Sequence, residues 1–477
     1  MEIDALPRLD ASLAEAEPAR PERVLQFGTG AFLRGFADPF VAEANASGAF
    51  DGRVVMVGST GSGRAAALGA QDGLYTLCVR GLRDGEPVDE THLVTSVSRA
   101  LAASADWDAV LALARSPELR LVVSNTTEIG ITDDPDDRPD LDPPRSFPGK
   151  LAAALAARAE AHGYDGGGLV VLPCELIEGN GDRLREIVEA HAERWELGDA
   201  FRDWLDREVT FCNTLVDRIV PGNPDDADAL FERLGYTDDL LTVTEPYRLW
   251  AIEGDDALAD RLPLVGLDGV VVADDLTPYR ERKVRILNGG HTATVPAAIL
   301  CGLDTVSEAL DDETVGTFVR RAILDEIVPS LRIDPTMAET FAHAVIDRFA
   351  NPFVAHALRD ITFQQTAKLG VRVAPSIREY VETHGEAPPL LCFGVAALLA
   401  AVRPDGADGL SADDAAGDWE RRWADVDLAD TDELRAFTVV ALGRWDLDTV
   451  EGVPESVADA LVAIERDGCR AALAARL

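Results

Sequence analysis

Three residues in one short segment have types and spacing suited to proton transfer: Lys283-Val-Arg-Ile-Leu-Asn288-Gly-Gly-His291. A partly buried lysine has a depressed pKa and can exchange a proton near neutrality. An asparagine amide can donate to a developing alkoxide, and a histidine can orient a hydroxyl. In an α-helix, at about 100° per residue with Lys283 as zero, His291 falls at about 80° and Asn288 at about 140°. The three polar groups then share an arc with Val284 and Leu287, which should face protein rather than open water. Asn288-Gly289-Gly290 is a poor helix former at the same place, and local rules broken together mark a functional site.

Lysine scarcity sharpens this reading. Only three of the 44 basic residues are lysine: Lys150, Lys283 and Lys368. Arginine does not deprotonate, so a lysine retained in an arginine-using chain is a candidate for proton exchange or anion binding. The plainer alternative is a surface lysine beside a core histidine.

A second pattern lies near the start. Gly28-Thr29-Gly30 follows an apolar strand, Arg23–Phe27, and opens a helical pattern, a turn whose backbone can approach a pyrophosphate. The third glycine of the dinucleotide fingerprint is missing: Leu33 stands there and Gly35 is displaced. After the second strand the chain reads Gly58-Ser-Thr-Gly-Ser-Gly-Arg64, with no carboxylate for ribose hydroxyls. Arg64 suits a 2′-phosphate, so this pattern leaves NAD and NADP both open.

These motifs need elements to hold them. Apolar strands alternate with helical patterns up to about residue 275, which predicts an α/β doubly wound, Rossmann-type domain. LYTLCVRG and THLVTSVS read as a hairpin-like insertion within it. From Lys283 on, most apolar segments have helical spacing, which predicts a mainly α-helical second domain. The expected division is a flexible leader at 1–22, a dinucleotide-binding domain at 23–278 and a helical substrate domain at 279–477. The stretch 404–418 reads as a solvated acidic loop.

Composition excludes several classes. The chain has 477 residues, 85 Asp+Glu and a formal net charge of −41. Phosphate backbones and anionic bilayers would repel it, so neither nucleic acid nor membrane is an expected partner. The charge fits a chain adapted to molar salt, where the Debye length falls to about 3 Å. The six cysteines stand singly, and no His/Cys/Glu cluster has zinc-ligand spacing, so no metal is expected. A reducing, cytoplasmic setting fits the absence of an apolar signal-like segment.

Segments throughout the chain carry a family likeness: QFGTGAFLRGF, VVSNTTEIGI, SFPGKL, LPCELIEGNG, FCNTLVDRIVPG, TEPYRLWAIE, KVRILNGGHT and RFANPF. With them the chain resembles the long-chain, metal-independent polyol dehydrogenases, the mannitol dehydrogenase family. SNTTEIGI and CELIEGNG resemble its tagaturonate branch more than its fructuronate or neutral-polyol branches. The resemblance implies an NAD(H)-dependent oxidoreductase, monomeric or dimeric, acting on a small sugar acid. It implies Lys283 as general acid/base, Asn288 and Asn180 polarising the reacting oxygen, and His291 orienting substrate, with Asp217 in the same polar site. Gly28, Gly30 and Phe32 would line the pyrophosphate, and Asn125, Thr126, Thr127 and Glu128 the ribose and nicotinamide. A substrate carboxylate would need a cationic partner, and Lys368 and Arg372 are the candidates. One departure stands out: many relatives carry glutamate three residues before the lysine, where this chain has Arg280, with Glu281 next. A nucleotide-binding protein without catalysis is the rival of another class.

Overall fold

The computed structural model describes residues 3–14, 18–58, 63–126, 129–221, 224, 226–404 and 415–477. The chain forms two compact units: Met1–Arg80 with Val88–Leu276, and Gly81–Pro87 with Thr277–Leu477.

The described strands of the first unit and the hairpin it shares with the second are β1 Glu22–Phe27, β2 Arg53–Gly58, β3 Tyr75–Arg83, β4 Glu86–Val94, β5 Val97–Ala102, β6 Leu121–Ser124, β7 Leu169–Pro173, β8 Val209–Phe211, β9 Thr214–Asp217, β10 Thr242–Thr244, β11 Leu249–Glu253 and β12 Val270–Ala273. Six make a parallel sheet in the order β5-β2-β1-β6-β7-β8. The order reverses between β1 and β6, the place where a doubly wound sheet opens its ligand crevice. Alternate residues explain why the sheet is buried on both faces. Val24, Val54, Met56, Leu121, Val123, Val170 and Leu172 pack into one core. Leu25, Phe27, Val55, Val57, Val122, Leu169 and Val171 pack into the other.

The insertion is a hairpin of β3 and β4, but its partner assignment differs from the sequence expectation. The stretch THLVTSVS divides: its first half ends β4, and its second half begins β5 of the parallel sheet. Asp84 (φ 54°) and Gly85 (φ 77°) turn the hairpin in two residues, as left-handed backbone at both positions allows. Within residues 3–14, Leu9 is buried and its N–H donates to the Thr237 carbonyl at 2.9 Å. Most of the acidic stretch 404–418 lies outside the described residues, and Trp419, just beyond it, is buried.

The second unit is helical beyond its hairpin tip. Its centre is Pro389–Ala401, whose residues from Leu390 to Ala401 are all buried, as expected of a helix apolar on every side. Gly394 lies so close to the Ala293 carbonyl that a side chain has no room, which brings Gly289–Leu300 against this central helix. The N-terminus of the central helix has no side-chain cap of its own. Glu326, buried, supplies one: its carboxylate accepts the N–H groups of Leu390 at 2.8 Å and Leu391 at 2.7 Å.

Burial raises the Glu326 carboxyl from an ordinary 4.5 to about 7, with Asp325 adding to it and the two N–H groups opposing it. Because the folded pKa lies above the unfolded one, the stability this group contributes is full below about pH 4.5 and is lost as pH rises through 7. Glu326→Gln cannot ionise. Urea unfolding at fixed salt is expected to show the variant gaining on the wild type between pH 5 and pH 8. A stability difference independent of pH contradicts this account of Glu326.

Candidate active site

The glycine turn of the first unit is built by close backbone approach. Gly28 has φ 129°, and a Cβ there would lie 2.9 Å from the Asn125 carbonyl and 3.0 Å from Leu33 Cδ1. Only glycine fits such a conformation without strain. Over Gly30 there is open space: a Cβ there meets nothing within 4 Å. Gly28 N–H donates to Val57 O, and Asn125 N–H to Phe27 O, so the turn sits at the C-terminal ends of β1, β2 and β6. A backbone cradle that excludes side chains on one side and stands open on the other fits a pyrophosphate. The displaced glycine is also required by packing, since a Cβ on Gly35 would lie 2.9 Å from Val220 Cγ1. Phe32 is half-buried and stacks on Phe36 with ring centroids 5.1 Å apart.

Residues to which the sequence assigns no role hold this turn. Buried Arg34 donates to the Thr29 carbonyl at 2.6 Å and to Thr242 Oγ1 at 3.3 Å. Tyr75 hydroxyl lies 2.8 Å from the Arg34 carbonyl and 3.1 Å from Asp38 Oδ2. The hydroxyl has one proton and a carbonyl can only accept it, so both bonds form together when Asp38 carries a proton. Burial raises the Asp38 carboxyl to about 7, against the hydrogen bonds of Tyr75 and Gln26 and the Arg34 charge. Glu175 is the clamp on the β6 end. Its buried carboxylate accepts from Ser124 Oγ (3.0 Å), Thr126 N–H (2.9 Å) and Thr126 Oγ1 (2.9 Å). Asn125 Nδ2 donates to the Cys174 carbonyl at 2.7 Å. Thr127 and Glu128, expected beside them, lie outside the described residues, as do residues 59–62. Arg64 is exposed.

Asn180 is placed differently from the sequence expectation. It is fully buried at the start of Asn180–Arg194. Its Nδ2 donates to the carbonyls of Pro173 (3.0 Å), Glu175 (3.1 Å) and Thr214 (3.2 Å), and its Oδ1 accepts from Thr214 N–H at 2.9 Å. An amide spent on backbone in this way ties the end of β7 to β9 and offers no donor to a substrate. The family resemblance assigns Asn180 to the reacting oxygen, and spacing does not reveal that its hydrogen bonds go to backbone instead. Asp217 is buried at the end of β9, and Arg218 donates to the carbonyls of Gly35 and Glu245. Lys150, the third lysine, is buried and donates to the Arg145 carbonyl at 2.6 Å, with burial lowering its pKa.

In the second unit, Lys283–Asn288 is a π-helical stretch between the α-helices Thr277–Arg282 and Gly289–Leu300. Gly289 N–H reaches back to the Val284 carbonyl, five residues earlier. The wider turn overturns the uniform wheel expected from the sequence. Lys283, Asn288 and His291 are each half-buried. Glu281 faces Arg285, 3.5 Å away, and Arg285 also pairs with Glu379 at 2.7 Å. The two glycines admit neighbours: a Cβ on Gly289 would lie 3.0 Å from the Arg372 carbonyl, and one on Gly290 3.1 Å from Ile323 Cδ1. Gln365 Nε2 donates to the Thr292 carbonyl at 2.7 Å, and Thr292 Oγ1 to the Asn288 carbonyl at 2.8 Å.

His291 stacks on Phe349 with centroids 3.9 Å apart and meets His356 edge-on at 5.5 Å. Burial holds its pKa well down, and His356, Arg348, Arg372 and Lys368 push it further the same way. The imidazole is therefore neutral at neutral pH, inside a cluster of positive charge. Lys368 donates to the Ile361 carbonyl at 3.0 Å. Half-buried Arg372 has a 3.5 Å contact to Thr292 Oγ1, and among the described residues no carboxylate stands within ion-pair distance of it. Burial lowers its pKa. Arg348 and Phe349 stand in the RFANPF segment, but no spacing links them or His356 to His291 in the sequence.

Two family models match almost end to end: the mannitol dehydrogenase Rossmann domain over residues 22–266 and the mannitol dehydrogenase C-terminal domain over 275–464. The chain belongs to the mannitol dehydrogenase family. Relatives within the family include an altronate oxidoreductase of Bacillus subtilis, 46% identical over 80% of this chain and 79% of its own. Another, the altronate oxidoreductase of Pectobacterium atrosepticum, is 43% identical over 95% of this chain and 96% of its own. Among solved structures, a D-sorbitol dehydrogenase superposes with TM-score 0.78 at 25% identity, over 98% of this chain and 100% of its own. A Pseudomonas fluorescens mannitol 2-dehydrogenase shares the fold, with TM-score 0.62 at 23% identity over 98% and 96% of the two chains. No helix among the described residues is long and apolar enough to cross a membrane.

The Glu175 clamp is open to direct measurement. Glu175→Ala strips three hydrogen bonds from Ser124 and Thr126 and is expected to cost about 2–4 kcal/mol in denaturant unfolding. A change under about 0.5 kcal/mol contradicts the clamp.

Proposed function

We propose that this member of the mannitol dehydrogenase family is an NAD(H)-dependent tagaturonate reductase, which in reverse oxidises altronate. The observation that carries the substrate class is Arg372: a half-buried guanidinium with no carboxylate partner among the described residues, beside Lys368 and the neutral His291. A buried cation of this kind is stabilised by an anionic ligand. The altronate oxidoreductases at 40–46% identity support the same substrate.

Gly28, Gly30, Phe32, Asn125 and Thr126 would hold the dinucleotide, joined by Thr127 and Glu128 on family likeness. When bound, the nicotinamide supplies or accepts the hydride. The chain's own residues manage charge and protons. Arg372 and Lys368 hold the uronate carboxylate. Neutral His291, braced by Phe349 and His356, accepts or donates a hydrogen bond to a substrate hydroxyl. Asn288 offers its amide to the oxygen on which negative charge grows. Lys283 holds the transferable proton at Nζ, giving it to that oxygen in reduction and taking it back in oxidation. Asn180 acts through position, fixing the β7 end from within.

Absorbance at 340 nm with NADH or NADPH and a panel of tagaturonate, fructuronate and neutral ketohexoses tests the proposal. The assay is run at molar KCl, because the −41 charge fits a salt-adapted chain. NADH oxidation fastest with tagaturonate is expected. A preference for fructuronate or a neutral ketose contradicts the substrate, and no turnover with any contradicts the enzyme. Arg372→Ala is expected to raise KM for tagaturonate about tenfold or more and to leave KM for a slow neutral ketose within about twofold. Equal effects on both remove the carboxylate role.

A further inference from the structure

Cys301 and Cys469 lie outside the site described above. Cys301 follows the helix Gly289–Leu300, and Cys469 opens the helix Cys469–Ala474. Both meet at one carbonyl: Cys301 N–H donates to Ala297 O at 2.9 Å, and Cys469 Sγ lies 3.7 Å from the same oxygen. Cys469 Sγ thereby stands beside the helix end that carries Cys301. Arg470 extends over the pair, reaching the Cys301 carbonyl at 3.2 Å and the Asp312 carboxylate at 2.7 Å. Cys301 is half-buried and so reachable, whereas Cys78, Cys174, Cys212 and Cys392 are buried.

The electrostatics separate the two sulfurs. The neighbouring Cys469 thiol and the Arg470 charge hold the Cys301 thiol below its ordinary value, against burial and Asp312. The Cys469 thiol is pushed far up by Cys301 and by burial. Burial raises the thiols of Cys78, Cys174, Cys212 and Cys392 as well. A reachable, thiolate-prone sulfur beside a protonated one is the arrangement of an attacking and a resolving cysteine.

We propose that Cys301 and Cys469 form a thiol-oxidation site that a hydroperoxide converts into an intrachain disulfide. The Cys301 thiolate attacks a peroxide oxygen, the O–O bond breaks, and hydroxide leaves a sulfenic acid on Cys301. Cys469 then gives up its proton to that hydroxide, and its sulfur attacks the Cys301 sulfur. The S–S bond forms, the S–O bond breaks, and the departing oxygen takes a proton from solvent. Two thiol sulfurs lose two electrons in all, and one hydrogen peroxide is reduced to two waters. The bridge fixes the end of the helix whose start follows Lys283–Asn288 to the C-terminal helix of the same unit.

Stoichiometric hydrogen peroxide is added to the reduced full-length protein, which is then digested without reductant and read by mass spectrometry. The expected product is a linked peptide pair containing Cys301 and Cys469, lighter by two hydrogens and reversed by dithiothreitol. In Cys469→Ser the reaction should stop at Cys301 sulfenic acid, trapped with dimedone about tenfold faster than any other cysteine. Cys301→Ser should give neither product, with circular dichroism confirming that each variant is folded. Absence of the linked pair in folded wild-type protein overturns the proposal. So does dimedone labelling in Cys469→Ser that is no faster at Cys301 than at the four buried cysteines.

Discussion

The close approach of the Gly289 backbone to the carbonyl of Arg372 is the contact on which the rest of the second unit's site depends. A Cβ at Gly289 would stand 3.0 Å from that oxygen, tighter than ordinary packing. It lets the helix bearing Lys368 and Arg372 lie against the point where Lys283–Asn288 passes from π to α geometry. Gly290 makes the same allowance toward Ile323. The two glycines cost helix propensity, about 1 kcal/mol each relative to alanine. Packing of the second unit offsets that cost. In return three cationic side chains are gathered around one neutral imidazole in a chain whose net charge is −41.

The first unit is governed by a related constraint, the satisfaction of buried polar groups. Glu175 and Asn180 are both fully engaged, one accepting from the β6 end and the other bonding the ends of β7 and β9. Neither touches solvent to any useful extent. Both hold backbone at the crevice in a fixed shape, which is what a cofactor-binding turn requires from its surroundings. Asp38 and Tyr75 do the same beneath the glycine turn through hydrogen bonds that run to the Arg34 carbonyl.

Much of this is legible in the chain. Apolar strands of four to six residues between helical patterns point to the doubly wound sheet, because strands buried on both faces leave unbroken Val/Leu runs. Gly28 is legible because a turn at a strand end demands its backbone freedom. Lysine scarcity marks Lys283 and Lys368, yet it also marks Lys150, which donates to the backbone carbonyls of Arg145 and Ser146. The π turn is not legible: one helical wheel assumes one period, and only packing against Arg372 reveals the change. Asn180 shows the opposite limit, since a residue type suited to catalysis is equally suited to bonding backbone. His356 and Arg348 approach His291 through tertiary packing, which no local spacing encodes.

In the proposed reaction, proton transfer rests on the Lys283 amine. Its most direct test is turnover of Lys283→Ala with and without added primary amines of graded basicity. Loss of kcat by about 10²–10⁴-fold is expected, with NADH binding retained. Partial recovery is expected to rise with amine concentration and to follow amine pKa. Near-normal turnover in the variant contradicts the claim, as does a folded, cofactor-binding variant that no amine restores.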